Sequence, residues 1–291
     1  MLYTGARPRF VDISRKTWNL DTAATARNVG DQTRVVLGTS FAGLPLDLDP
    51  LEGIRDRVVI IEDASHALGA RRKGTLVGGP GGADMTTFSF HPVKAITTGE
   101  GGAVSTENDE LAERLRLFRT HGIAKDGVTG SETEGAWYYE MQALGVNYRI
   151  TDFQCALGLS QLQRLDEYIA ARNRVAGRYR ELLSGEEQVA LPPGAQDGDV
   201  HGYHLFVIRV LRGPEARLQT FNALRAAGIG VQVHYIPIYR LPYYRDALGY
   251  PQDDCPGAEE YYAGAISLPM FPGMTERDVD RVVSTLREVL A

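Results

Sequence analysis

Cysteine is scarce in this chain. Cys155 and Cys255 are the only two among 291 residues. They lie far apart, match no metal-ligand spacing, and suit a reducing cytoplasm. A surplus of positive charge is also missing: Lys plus Arg number 31 against 37 for Asp plus Glu, a net charge of −6. Non-specific nucleic-acid binding needs a basic surface, so no nucleic-acid partner is expected. An anionic small ligand held by backbone amides stays compatible with that balance. No apolar run approaches the roughly 18 residues of a membrane helix. The opening stretch Met1–Ser14 carries no apolar signal core, so neither membrane insertion nor export is expected. What is present is globular in character, with 43% hydrophobic and 23% charged residues, a balance that excludes extended disorder. The length suits one large or two ordinary domains.

Short β-rich runs alternate with helical patterns over the first 120 or so residues. Arg9–Ile13, Arg34–Ser40, Val58–Glu62, Met85–Phe90 and Gly102–Thr106 read as strands; Leu48–Arg57 and Asp109–Arg119 read as helices. Strands alternating with helices imply crossover units and a mainly parallel sheet. Gly122–Gly135 is polar and glycine-rich and reads as a mobile loop. Thr151–Leu183 is helical throughout, with an apolar stripe at Leu157, Leu159, Leu162, Leu165 and Ile169. A helix of that length suits a bridge between two lobes. Beyond the Pro/Gly/Asp-rich stretch Leu191–Asp199, His204–Leu211 and Gly230–Tyr235 read as strands. Glu215–Ala227, Tyr261–Ala265 and Glu276–Leu290 read as helices. The expected architecture is α/β, with a large domain over residues 1–165 and a smaller C-terminal α+β domain, including the linking helix, over 166–291.

Two segments carry chemistry. In Ile60–His66, Asp63 closes a buried strand, and ligands of parallel sheets bind at that edge. A carboxylate there needs a cation or hydrogen-bond donors; capping the following turn is its plain alternative role. In Thr86–Gly102, a strand ends at Ser89 and the next loop carries Lys94. Desolvation of such a lysine lowers its pKa and makes the amine nucleophilic, as a Schiff-base lysine requires; a snorkelling surface lysine is the alternative. Together the segments supply what a pyridoxal phosphate enzyme needs, a lysine and a carboxylate opposite the pyridine nitrogen. Ser89 can donate to a phosphate. Gly78–Gly82 lacks the Lys-Ser/Thr ending of a phosphate loop and reads as a turn. Asp63 with His66 finds no third ligand of convincing spacing, so no metal is expected.

The segments EDASHALGA, TTFSFHPVKAITTGEGGAVST, LGVNYRITDFQCALGLSQL and VQVHYIPIYRLPYYR resemble those of the DegT-type sugar aminotransferases, a branch of the fold-type I pyridoxal phosphate enzymes. The likeness runs nearly end to end. It is nearest to the branch that aminates C4 of a UDP-linked 4-keto-6-deoxy-N-acetylhexosamine in pseudaminic acid biosynthesis, with glutamate as amino donor. The resemblance implies pyridoxal 5′-phosphate as cofactor and Lys94 as the lysine that binds it covalently. It implies Asp63 at the pyridine nitrogen, His66 at the ring or its O3′, and Ser89 at the phosphate. Asn147 matches an asparagine that reaches the neighbouring subunit's cofactor, which implies a homodimer with shared sites. His234 and Tyr235 match a segment near the sugar-nucleotide pocket. The resemblance also implies an N-terminally shortened chain, without the family's Ser-Gly-Thr phosphate turn and ring-stacking aromatic. A non-catalytic remnant, amination at C3, and a dehydratase are the alternatives, the last opposed by Lys94, since histidine replaces the lysine in that branch.

Overall fold

The computed structural model describes residues 1–125, 134–249 and 255–291. Helix α1 (Thr22–Asn28) begins at Asp21, whose carboxylate accepts the Ala24 N–H at 2.7 Å, satisfying a donor the first turn leaves open. Four strands follow: β1 (Val35–Thr39), β2 (Val59–Asp63), β3 (Met85–Ser89) and β4 (Gly102–Ser105). They form one sheet in chain order. β1, β2 and β3 run parallel, with Thr39, Asp63 and Thr87 in register, and β4 returns antiparallel to β3. All three parallel strands therefore end on one edge. Val36, Leu46, Leu51 and Ile60 pack beneath the sheet in a first core.

Helix α2 (Asp109–Phe118) is capped by Asn108. Then come α3 (Asp152–Leu162), opened by a Thr151/Gln154 capping box, and α4 (Leu165–Leu182). Later elements include β5 (Val189–Ala190), β6 (Phe206–Val210), α5 (Gly213–Ala226), α6 (Pro256–Gly264), β7 (Ala265–Leu268) and α7 (Glu276–Leu290). β7, β6 and β5 form an antiparallel sheet. Tyr179, Phe206, Ile208, Leu224, Ile266 and Leu286 fill a second core around it. A third cluster, with Trp18, Ala42, Val207 and Tyr261, joins the N-terminal segment to the second sheet.

Several elements differ from the sequence expectation. Thr151–Leu183 is two helices, parted at Gln163–Arg164, because its halves have different partners. In α3, Gln161 holds both backbone groups of Thr97 (2.6 and 3.2 Å), whereas α4 buries Val175, Ala176 and Tyr179 in the second core. Arg9–Ile13 forms no strand, and only Ile13 bridges, to Leu20. Asp12 instead accepts the Gly257 and Ala258 N–H groups at the start of α6. Leu48–Arg57 holds a 3₁₀ turn over Asp49–Ile54 rather than an α-helix. Gly230–Tyr235 contributes a single bridge, Gln232 to Ser267. The helix read at Tyr261–Ala265 starts earlier, at Pro256, and ends at Gly264, where β7 begins. Of the Gly122–Gly135 loop, residues 126–133 lie outside the described residues.

Candidate active site

Asp63 is the last residue of β2. Its carboxylate accepts the Ser65 N–H at 3.0 Å, and its carbonyl accepts the Ser40 N–H at 3.0 Å. The neighbouring strand β3 ends at Ser89, and a compact loop returns the chain to β4. Within it the Lys94 N–H donates to the His91 carbonyl at 2.9 Å, and the Phe90 carbonyl accepts the Thr98 N–H and the Thr97 hydroxyl, each at 3.0 Å. Gln161 clamps that loop from α3. Lys94 is thus fixed beside the end of β2.

Burial pushes the half-buried Lys94 ammonium below its usual pKa, and the Asp63 carboxylate opposes that shift. The two groups act on each other without forming a hydrogen bond or close ion pair. His66, one turn beyond Asp63, is buried and held down to about 3, mainly by burial and then by the Lys94 charge. Its Nδ1 accepts the Ala42 N–H at 3.3 Å, so in the neutral ring the proton resides on Nε2. Nε2 lies 3.5 Å from the Tyr235 hydroxyl. The Tyr235 ring stacks near that of His66, with centroids 6.2 Å apart and 22° between planes. His234 is anchored by Ser267 Oγ at 2.7 Å from Nδ1, and its carbonyl accepts the Tyr261 hydroxyl at 2.6 Å. Its pKa is lowered by burial and next by Lys94.

Asp63, His66, Lys94, His234 and Tyr235 therefore meet in one place, where the first sheet faces the second core. Ser89 stands at the rim of the Lys94 loop, its hydroxyl accepting the His91 N–H at 3.4 Å. Asn147 lies outside this cluster, exposed and bridged to Thr120. Two participants escaped the sequence reading. The His204 ring lies 4.4 Å from that of His66, and its buried Nδ1 has no hydrogen-bond partner. Phe41 packs on His66, Tyr235 and Tyr261 at 5.9, 6.4 and 5.6 Å. The His201/His204 pair ahead of β6 was the available signal for the first; nothing in spacing or composition marks Phe41. Among the described residues no group of three or more His, Cys, Asp or Glu could hold a metal ion. No described helix is long and apolar enough to cross a membrane.

A mainly parallel sheet that offers a lysine and an acid from adjacent strand ends, next to a smaller α+β unit, is the arrangement of the fold-type I pyridoxal phosphate transferases. The chain belongs to the DegT/DnrJ/EryC1/StrS aminotransferase family, whose model matches residues 1–287. It is 35% identical to the spore coat polysaccharide biosynthesis protein SpsC of Bacillus subtilis over 297 residues, covering 100% of this chain and 75% of SpsC. The putative sugar aminotransferase Spr1654 of Streptococcus pneumoniae, solved in its PMP form, superposes with a TM-score of 0.91 at 29% identity, over 99% of this chain and 77% of that one. PseC of Helicobacter pylori, an aminotransferase of pseudaminic acid biosynthesis, gives 0.87 at 28% identity, over 99% and 75%.

The family's cofactor is pyridoxal phosphate, and the site fits it. Asp63 has a carboxylate without a counter-ion in contact, Lys94 an amine of lowered pKa, and His204 an unpartnered buried nitrogen.

Proposed function

We propose that the chain transfers the amino group of glutamate to C4 of a UDP-linked 4-keto-6-deoxy-N-acetylhexosamine. The observation that carries this reading is the facing of Asp63 and Lys94 across adjacent strand ends, electrostatically coupled yet unpaired. When bound, pyridoxal phosphate supplies the electron sink that lets an amino group pass between donor and acceptor. Lys94 would hold it covalently, and its Nζ, when free, would serve as the base and acid that moves the donor Cα proton. The lowered Lys94 pKa favours the free amine that this needs. Asp63 would set a negative charge at the ring nitrogen, His66 would face the ring or its O3′, and Ser89 would donate to the phosphate. His234 and Tyr235 border the sugar. In this reading residues 1–165 form the cofactor domain and 166–291 the smaller one. The sugar class is supported by the likeness to SpsC and PseC.

The same reading makes the working form a cytoplasmic homodimer in which Asn147 reaches the partner's cofactor. Around Asn147, Trp137, Leu144, Tyr148 and Phe153 are exposed at 77, 84, 77 and 76%. An apolar cluster of that kind favours a protein partner. The test is reconstitution of the full chain with pyridoxal phosphate, followed by amino transfer from glutamate to the UDP-4-keto sugar. A visible absorbance band that vanishes in Lys94→Ala, with nitrogen at C4 of the product, is the expected result. A wild-type protein without the band, or a product aminated elsewhere, overturns it.

A further inference from the structure

Glu62 precedes Asp63 on β2, and alternate strand residues face opposite sides. Asp63 turns to the site; Glu62 is buried below it, 3% exposed. A carboxyl placed there needs a partner, and it has one. The Ser40 hydroxyl donates to Glu62 Oε1, while Ser40 Oγ accepts the Leu46 N–H at 2.9 Å. Ser40 also gives its own N–H to the Asp63 carbonyl at 3.0 Å. One serine thus ties the end of β1 to β2 and closes both ends of the 40–46 turn. That turn carries Ala42, whose N–H donates to His66 Nδ1 at 3.3 Å, and Phe41, which packs on the His66 ring.

We propose that Glu62, acting through Ser40 and the 40–46 turn, is a positioning residue that locks His66 as its neutral Nε2–H tautomer and so makes it a hydrogen-bond donor towards the cofactor pocket. The proposal rests on the function proposed above for what His66 donates to, but the lock itself belongs to the chain. A backbone N–H can only donate, so the Nδ1 that receives it cannot carry a proton while the turn stays in place. Protonating His66 would require breaking that bond. Burial pushes the Glu62 carboxyl up, as expected where its partner is a hydroxyl rather than a cation. The other groups that face His66 are Lys94 and His234, which disfavour its protonation, Asp63, which favours it, the His204 ring, and the Tyr235 hydroxyl at Nε2. None of them touches Nδ1, and the Tyr235 hydroxyl at Nε2 can donate or accept, so the N–H that the turn gives to Nδ1 selects the tautomer.

The test is a histidine-labelled NMR titration of the full chain without cofactor, with His66 assigned through His66→Asn. Far-UV circular dichroism over the same pH range is the control for unfolding, because His201, whose Nδ1 accepts the Tyr203 N–H at 2.8 Å, borders the turn through the Gly202 N–H to Gly43 carbonyl bond. In the wild type, His66 Nδ1 is expected to be unprotonated and to resist titration down to about pH 3. Ser40→Ala removes the donor to Glu62 and the acceptor of Leu46. The expected result is a roughly tenfold or greater rise in His66 proton affinity, equal to one pH unit or more in its midpoint, with the dichroism unchanged at that pH. Glu62→Gln keeps an oxygen acceptor for Ser40 and is expected to keep the wild-type midpoint. An unchanged His66 in Ser40→Ala, or a His66 shift that appears only as the dichroism is lost, overturns the lock. Because no cofactor is present, such a failure is separate from a failure of the proposed function, which the absorbance of the reconstituted protein reports.

Discussion

Lys94 and Asp63 influence each other across the site in the cofactor-free chain. Burial destabilises the charged amine, and the carboxylate partly restores it. The sign of a substitution follows: Asp63→Asn removes the carboxylate that favours protonated Lys94, so the Lys94 pKa moves further down. The pH dependence of Lys94 acylation in cofactor-free protein measures it, and a midpoint that stays or rises contradicts the coupling. In the loaded enzyme the same change has a second consequence. A preorganised charge at a centre where charge develops is worth roughly 10²–10³ in kcat, so Asp63→Asn is expected to lose that much in amino transfer while retaining the visible band. Loss of the band together with activity would place Asp63 in binding rather than turnover. Both residues were legible in the sequence because an acid at the end of an apolar strand and a lysine within an apolar loop each break a pattern. His204 and Phe41 break none. Aromatic and imidazole rings beside a strand look like core, and only the fold brings them against His66.

At the scale of elements, the turn after β1 has little room to vary. Gly43 adopts φ +102°, and a Cβ there would meet Tyr203 N at 2.7 Å and His66 O at 2.9 Å. Backbone cannot step aside as a side-chain end can. Gly43→Ala is expected to destabilise by about 1–3 kcal/mol, read as a lower urea midpoint at unchanged m-value. An unshifted midpoint would mean that the turn is looser than its contacts imply. Helix α7 offers a simpler case: Thr275 and Asp278 form a reciprocal capping box, and Thr275→Ala is expected to lose about 1 kcal/mol by the same measurement. A change within a few tenths would show the end of α7 to be frayed. The elements legible beforehand are those with a local cause. β1, β2 and β3 are β-branched runs, and α7 has a clean apolar stripe of Val279, Val282, Val283, Leu286 and Leu290. The misread elements have distant causes. Gly264 lies against the Val210 backbone, where a Cβ would come within 2.4 Å of the carbonyl oxygen, and this close approach ends α6 and admits β7. The break between α3 and α4 depends on Thr97, some sixty residues upstream. His234 and Tyr235, read as strand, are held instead by Ser267 and Tyr261.

At the scale of the whole molecule, the site lies where two cores meet, and the residues packed there shape the response to acid. His66 and His201 are held at about 3 and His204 at about 2, in each case chiefly by burial. The unfolded chain takes up these protons near pH 6.5, the ordinary value for histidine. Between there and about pH 3 the unfolded state binds protons that the folded state refuses, so stability falls as pH falls. Each such histidine contributes a slope of about 1.4 kcal/mol per pH unit in that window. Glu62 acts oppositely. Its carboxyl is raised, so the folded chain binds that proton first, and its contribution favours the folded state as pH drops. One raised carboxyl against these three and His234, whose pKa burial also lowers, leaves the histidines in control, and the urea midpoint is expected to be lower at pH 5 than at pH 7. His201 isolates the cause: it stacks on Tyr203 at 3.8 Å, away from Lys94, and its shift comes from burial and Arg180. His201→Gln removes one titrating group without touching the cofactor site, so stability should decline less steeply below pH 6.5, by the share of one histidine. A variant that declines as steeply as the wild type would remove buried histidine as the origin of the acid sensitivity and leave it to the carboxylates.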